Sequence, residues 1–154
     1  MILLKPMTGA EFNHWIQESI KEYAEEKTKA GNFQQETSLE QAEQEFKQLL
    51  PEGKETKNHY LFMLFQEESQ EVVGNLWIHV KEEDKEIFIY DIKILESKRG
   101  SGYGKEALAS LDSFAKEMAI SKISLHVFGH NKIAISLYQK TGYEITNVLM
   151  SKTL

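Results

Sequence analysis

The stretch Ile92-Lys93-Ile94-Leu95-Glu96-Ser97-Lys98-Arg99-Gly100-Ser101-Gly102-Tyr103-Gly104-Lys105 decides how the chain is read. Its first residues are apolar and β-branched, the mark of a buried strand. Three alternating glycines follow, and after Gly104 the residues Ala107, Leu108, Leu111, Phe114, Ala115 and Met118 recur at helical spacing. A glycine-rich turn from strand to helix lets backbone N–H groups point at one place, and the new helix adds its unpaired amides and positive dipole end. Between Lys93 and Lys105 stand four bases against the single acid Glu96, and Arg99 is the only arginine among the 18 basic residues. A tight turn alone would require neither three glycines nor flanking bases. The pattern points to an anion-holding loop, and a diphosphate fits several converging N–H groups.

Outward from the loop, the chain reads as alternating elements. Residues 2–5 form a short strand, and Thr8 with Glu11 is a capping box for a helix that runs to about Lys29 on Phe12, Trp15, Ile16, Ile20 and Tyr23. Ser38 with Gln41 reads as a second capping box, opening a helix ended by Pro51. The period then changes. Residues 60–66, 72–80 and 87–95 are rich in aromatic and β-branched side chains and joined by short polar turns, as in a hairpin meander. After the long helix come a strand at 123–128, a short helix from Asn131 to Lys140 ended beyond by Gly142, and two short strands at 143–145 and 148–150. The order β-α-α-β-β-β-α-β-α-β-β implies an α/β (α+β) fold. Its central sheet is mixed, mostly antiparallel, of about seven strands flanked by four helices, in a single domain over residues 1–154.

Two other phosphate motifs fail. Gly102-Tyr103-Gly104-Lys105-Glu106-Ala107 matches a dinucleotide fingerprint in form, but the next strand runs into Gly129 and His130 instead of an acid for the ribose. Lys105 is followed by Glu106 where a Walker loop needs Ser or Thr for magnesium. The loop Arg99-Gly100-Ser101-Gly102-Tyr103-Gly104, preceded by Ile92-Lys93-Ile94, resembles instead the acetyl-CoA signature of the GNAT superfamily of N-acetyltransferases. The stretch Asn131-Lys132-Ile133-Ala134-Ile135-Ser136-Leu137-Tyr138-Gln139-Lys140-Thr141-Gly142-Tyr143 is similar to a second family motif, and the element order matches along the whole chain. The text from AEEKTKAGNF to MSKTL also resembles small stand-alone bacterial members.

The resemblance implies a division of labour. Arg99, Gly100, Ser101, Gly102, Tyr103, Gly104 and Lys105 would hold the diphosphate of acetyl-CoA, with the main chain of Ile92 and Ile94 along the pantetheine arm. Tyr138 matches the usual general acid for the departing thiolate, although a half-buried helix residue would also explain it. Asn131 is a pantetheine contact, a helix N-cap, or both. The base is open. Asp91 is an acid inside the apolar strand IFIYDIKIL. If Ile92 and Ile94 face the core helix, alternation turns Asp91 and Lys93 to the opposite face, where burial would raise a carboxyl pKa. A structural ion pair explains Asp91 equally well. His79, His126 and a water chain are further candidates, and His126 with His130 lacks a third ligand for a metal. The acceptor would bind under the first two helices, where Glu18, Glu22, Glu25, Glu26 and Glu36 lie with Trp15, Tyr23, Phe33 and Trp77 nearby, and it would be a small-molecule or peptide amine.

Composition sets the outer limits. A net charge of −6 argues against nucleic acid held by bulk electrostatics, and no apolar run approaches a membrane span or a signal sequence. The absence of cysteine removes disulfides, thiol nucleophiles and thiolate-bound zinc, so direct acetyl transfer without a covalent enzyme intermediate is the simplest route. A cytoplasmic enzyme, monomeric or homodimeric and without metal, is the expectation. A non-catalytic acyl-CoA-binding module on the same fold is the alternative.

Overall fold

Alternating apolar side chains pull four consecutive strands into one antiparallel sheet in the computed structural model, which describes residues 1–154. The strands are β1 (Ile2–Pro6), β2 (His59–Gln66), β3 (Glu71–Lys81) and β4 (Glu86–Ile94), and β5 (Lys122–Leu125) adds in parallel to β4. The order along the sheet is β1-β2-β3-β4-β5. Helices α1 (Gly9–Lys29) and α2 (Ser38–Leu49) follow β1, α3 (Tyr103–Glu117) connects β4 to β5, and α4 (Lys132–Lys140) follows β5.

The sheet separates two apolar cores. On one face Leu64, Val73, Leu76, Ile78, Ile87 and Ile89 pack against Ala107, Leu108, Leu111 and Ala115 of α3. On the other, Phe12 and Trp15 of α1 and Phe46 and Leu50 from the α2 segment enclose Leu61 and Trp77. Trp15 meets Trp77 edge-on with ring centroids 5.5 Å apart; both indoles belong to the core, and Trp15 also borders the groove beside α1 described below. The Thr8 box forms as the residues predict: Thr8 Oγ1 accepts from Glu11 N at 3.2 Å, and Glu11 accepts from Thr8 N at 2.9 Å. The second box does not form. The N-cap of α2 is Thr37, one residue earlier; Ser38 Oγ instead donates back to Gln35 O, and Gln41 Nε2 donates to Thr37 Oγ1.

The sheet has five strands, not about seven. The strand expected at 123–128 ends at Leu125, and residues 143–154 form no strand. The first difference has a local cause. In the β3–β4 ladder Trp77 pairs with Asp91 but Ile78 pairs with Ile89, which leaves Tyr90 as the extra residue of a bulge. The parallel β4–β5 ladder stops at Ile89, one residue before it. A bulge bends its strand and ends pairing, so the chain beyond Leu125 has no strand beside it. Residues 144–154 make no hydrogen bond to the rest of the chain and lie on no edge of its sheet.

Candidate active site

Beyond Ile89, β4 continues to Ile94 with β3 on one side and no paired strand on the other. Leu95 N donates to Val73 O of β3 at 2.8 Å. Strand alternation therefore turns the N–H and C=O groups of Ile92 and Ile94 away from β3, toward the gap between β4 and β5. Their side chains pack on the α3 core. Asp91 and Lys93 face α1, as the pattern predicts: Asp91 Oδ2 accepts from Asn75 Nδ2 at 2.8 Å and Trp15 Nε1 at 3.3 Å, and Lys93 is ion-paired with Glu22. The close β3–β4 approach depends on Gly74, where a Cβ would sit 2.0 Å from Lys93 O.

At the end of the gap the chain makes a short 3-10 turn over Glu96–Lys98 and enters the glycine loop. Gly100 and Gly102 lie at φ +81° and +82°, left-handed backbone that other residues adopt at a cost of roughly 1–2 kcal/mol each. Gly102 is the N-cap of α3 and has no side chain to cap it. The first amide of this region to find a partner is Glu106 N, on Gly102 O. The six N–H groups of residues 100–105 have no acceptor within the chain, which is a ready site for a di-anion. Arg99 Nε donates to Ile94 O at 3.0 Å, fixing loop to strand while the guanidinium's terminal nitrogens stay unpaired. Lys105 has no carboxylate partner either. The positive character of the loop is narrower than its sequence suggests, because Lys98 is paired with Glu71 at 2.6 Å and Lys93 with Glu22.

Helix α4 closes the other side. A Cβ on Gly104 would lie 3.1 Å from Leu137 Cδ2, so α4 rests on the first turn of α3. Tyr138, the next residue, is half-buried, and burial together with the charge of Asp91 pushes its phenol up to about 12. Asp91 is itself raised by burial, against the pull of its Asn75 and Trp15 hydrogen bonds. Asn131 Oδ1 accepts from Ala134 N at 3.2 Å, so its N-cap role is real, and its Nδ2 remains free to donate.

The histidines fall outside this constellation. His79 stacks on His59 at 4.3 Å, with Trp77 Nε1 donating to His59 Nδ1, and burial lowers both histidines, His59 to about 4. His130 pairs with Glu26 at 2.7 Å, and His126 is exposed. No group of three His, Asp or Glu is placed to hold a metal ion. Residue patterns alone pass over Asn75, yet a polar side chain inside VVGNLW is the same signal that singles out Asp91. Beside these residues, between α1 and the ends of β3 and β4, lies a groove of about 380 Å³ bordered by Glu11, His14, Glu18, Glu22 and Lys93.

The family described as "Acetyltransferase (GNAT) family" matches residues 16–143. The chain is 47% identical to YycN of Bacillus subtilis (strain 168), described as an uncharacterized N-acetyltransferase, over 99% of both chains. It is 34% identical to YdgE of the same organism, described in the same terms, over 98% of this chain and 97% of that one. The crystal structure of YycN overlays with a TM-score of 0.95 at 46% identity, covering 100% of this chain and 99% of the other. Fold, loop and relatives converge: the chain is a member of the GNAT family of acetyltransferases.

Proposed function

We propose that the protein, working as one domain in the cytoplasm, moves the acetyl group of acetyl-CoA directly to a primary amine of a small molecule or peptide. The observation that carries this is the row of six unpartnered amides at residues 100–105, set at the mouth of a gap whose wall includes the unpaired main chain of Ile92 and the unpaired N–H of Ile94. These groups fit the cofactor: the amides, Arg99 and Lys105 would hold its diphosphate, while Ile92, Ile94 and Asn131 Nδ2 offer neutral donors and acceptors to a pantetheine arm. When bound, acetyl-CoA supplies an acyl group on a good leaving sulfur.

The chain's own task is to manage protons and orientation. An amine of pKa near 10.4 arrives protonated and must lose a proton before it attacks. Asp91, with its affinity for protons raised by burial, is the acceptor of that proton in this reading. Glu18 in the neighbouring groove, a carboxylate without an ion-pair partner, favours a cationic amine over an anion, while Glu22 is offset by Lys93. Tyr138 holds its proton at neutral pH. Giving it up fully to a thiolate of pKa near 8.5 would be uphill by roughly 5 kcal/mol. The role that fits Tyr138 is donation of a strong hydrogen bond to the departing sulfur, with the proton following as product forms. A backbone N–H of β4 would polarise the carbonyl, an oxyanion-hole contribution no side-chain substitution removes.

Isothermal titration with acetyl-CoA tests the binding half, and absence of binding at hundreds of micromolar overturns the proposal. An amine panel read by thiol release tests the chemistry. Tight binding with no release by any amine would favour the non-catalytic acyl-CoA module instead.

A further inference from the structure

The groove of about 380 Å³ beside α1 has an apolar lining where Trp15, Met63 and Leu95 meet. No residue bordering it comes from the glycine loop, β5 or α4, so it lies on the α1 side of the sheet, apart from the gap along Ile92. Asp91 joins the two spaces. It stands on β4 next to Ile92, and its carboxylate is held by the groove residues Asn75 and Trp15.

One buried polar group interrupts the apolar lining. Asn75 is 8% exposed, and its Nδ2 is committed to Asp91 Oδ2 at 2.8 Å. A carboxylate only accepts, so the amide is fixed with its nitrogen toward Asp91 and its oxygen away. That Oδ1 accepts no hydrogen bond within the chain. Asp91 shows the same asymmetry: Oδ2 takes both Asn75 Nδ2 and Trp15 Nε1, and Oδ1 takes neither. The side-chain atoms that are sealed from solvent and unpartnered are His79 Nδ1 and the Tyr143 hydroxyl. Asn75 Oδ1 is therefore reachable, and the groove is the way in. An open acceptor in an apolar groove is matched by a ligand bearing N–H groups.

Charge narrows the ligand further. Glu11, Glu18 and Glu22 border the groove against Lys93 alone. Glu22 is offset by Lys93, and Glu11 accepts from the Thr8 amide at the start of the helix. Glu18, about one turn beyond Trp15, is exposed and has no ion-pair partner.

We propose that the groove takes an aliphatic diamine as the acetyl acceptor, with one ammonium on Asn75 Oδ1 and Asp91, the methylene stem along Trp15 and Met63, and the second ammonium at Glu18. The inference rests on the acetyl transfer proposed above and names its acceptor. The inner ammonium gives one proton to Asp91, and its lone pair forms the C–N bond as the C–S bond breaks. A second proton lost from nitrogen balances the one taken by the leaving sulfur. An aminated sugar would press hydroxyls against the apolar lining, and a distal carboxylate would face Glu18.

Acetyl-CoA is titrated first, so that a failure of the underlying reaction is seen by itself. Rates are then compared for butylamine, putrescine and γ-aminobutyrate, which share an ammonium on an unbranched stem and differ at the far end. The order of kcat/KM should be putrescine, butylamine, γ-aminobutyrate, with putrescine ahead of butylamine by roughly threefold to tenfold. Glu18→Gln should bring those two within about twofold of each other. Asn75→Leu should raise KM for putrescine about tenfold to a hundredfold, with acetyl-CoA binding and the circular dichroism spectrum retained. Glu18 is exposed, so Glu18→Gln carries the test even if Asn75→Leu does not fold. Equal rates for the three amines, an order that survives Glu18→Gln, or an unchanged KM in a folded Asn75→Leu overturns the diamine site and leaves acetyl transfer standing. Acetylation of no amine overturns the reaction itself, and titration of putrescine into the chain then shows separately whether the groove binds a diamine.

Discussion

Tyr138 and Asp91 sit on opposite sides of β4 yet share one electrostatic field, since the carboxylate is part of what keeps the phenol protonated. Their substitutions should therefore separate cleanly. Tyr138→Phe should lower kcat by about 10–100-fold with little change in KM for acetyl-CoA, measured by thiol release, because it removes a donor used as sulfur departs. Asp91 is raised above the ordinary carboxylate range, so a base at this position needs a higher pH before it can act. The acidic limb of kcat/KM should accordingly lie above that range in the wild type and vanish in Asp91→Asn. If Asp91 only anchors Trp15 and Asn75, Asp91→Asn should keep the limb and lose stability instead. Gly74 belongs to the same neighbourhood. Gly74→Ala would place a methyl 2.0 Å from Lys93 O, and thermal unfolding should show a loss of about 3 kcal/mol.

The glycine loop is the element where sequence and structure agree most closely, because its properties are local. Left-handed Gly100 and Gly102, the start of α3 and the free amides all follow from which residues lack a Cβ and where a helix begins. Gly102→Ala should weaken acetyl-CoA binding by an order of magnitude or more in titration, whereas Gly102→Asn, which tolerates that backbone, should retain more of it. The strands at 60–66, 72–80 and 87–95 were equally legible within a residue or so, since alternation is written in each segment by itself. What alternation cannot encode is register. The Tyr90 bulge, the early end of β5 and the pairing of Lys93 and Lys98 with distant glutamates depend on which chain lies alongside. The same holds for the C-terminal segment, whose strand-like pattern is plain although it pairs with no strand of the sheet. Local chemistry also misled at Ser38, where Thr37 takes the N-cap position one residue earlier and its side chain accepts from Gln41 instead of from a helix amide.

At the scale of the molecule, the sheet divides a core of α3 from a core of α1 and α2, and His59, stacked on His79, lies against Trp77 of the second. His59 titrates near 4 in the folded chain against about 6.5 when unfolded, so the unfolded state takes up more protons between those values. Stability should be complete above pH 6.5 and fall as pH drops toward 4. Thermal melts between pH 7 and 5, above the range where most carboxylates titrate, should show the decline. His59→Phe should reduce it. The gap along β4 has one more consequence, for the protein's handling in solution. A strand whose main-chain groups at Ile92, and whose N–H at Ile94, have no strand beside them is a template on which foreign strands can grow. Whatever fills that gap also masks the template. Saturating acetyl-CoA should delay the onset of turbidity on gentle heating by more than its shift of the melting midpoint accounts for.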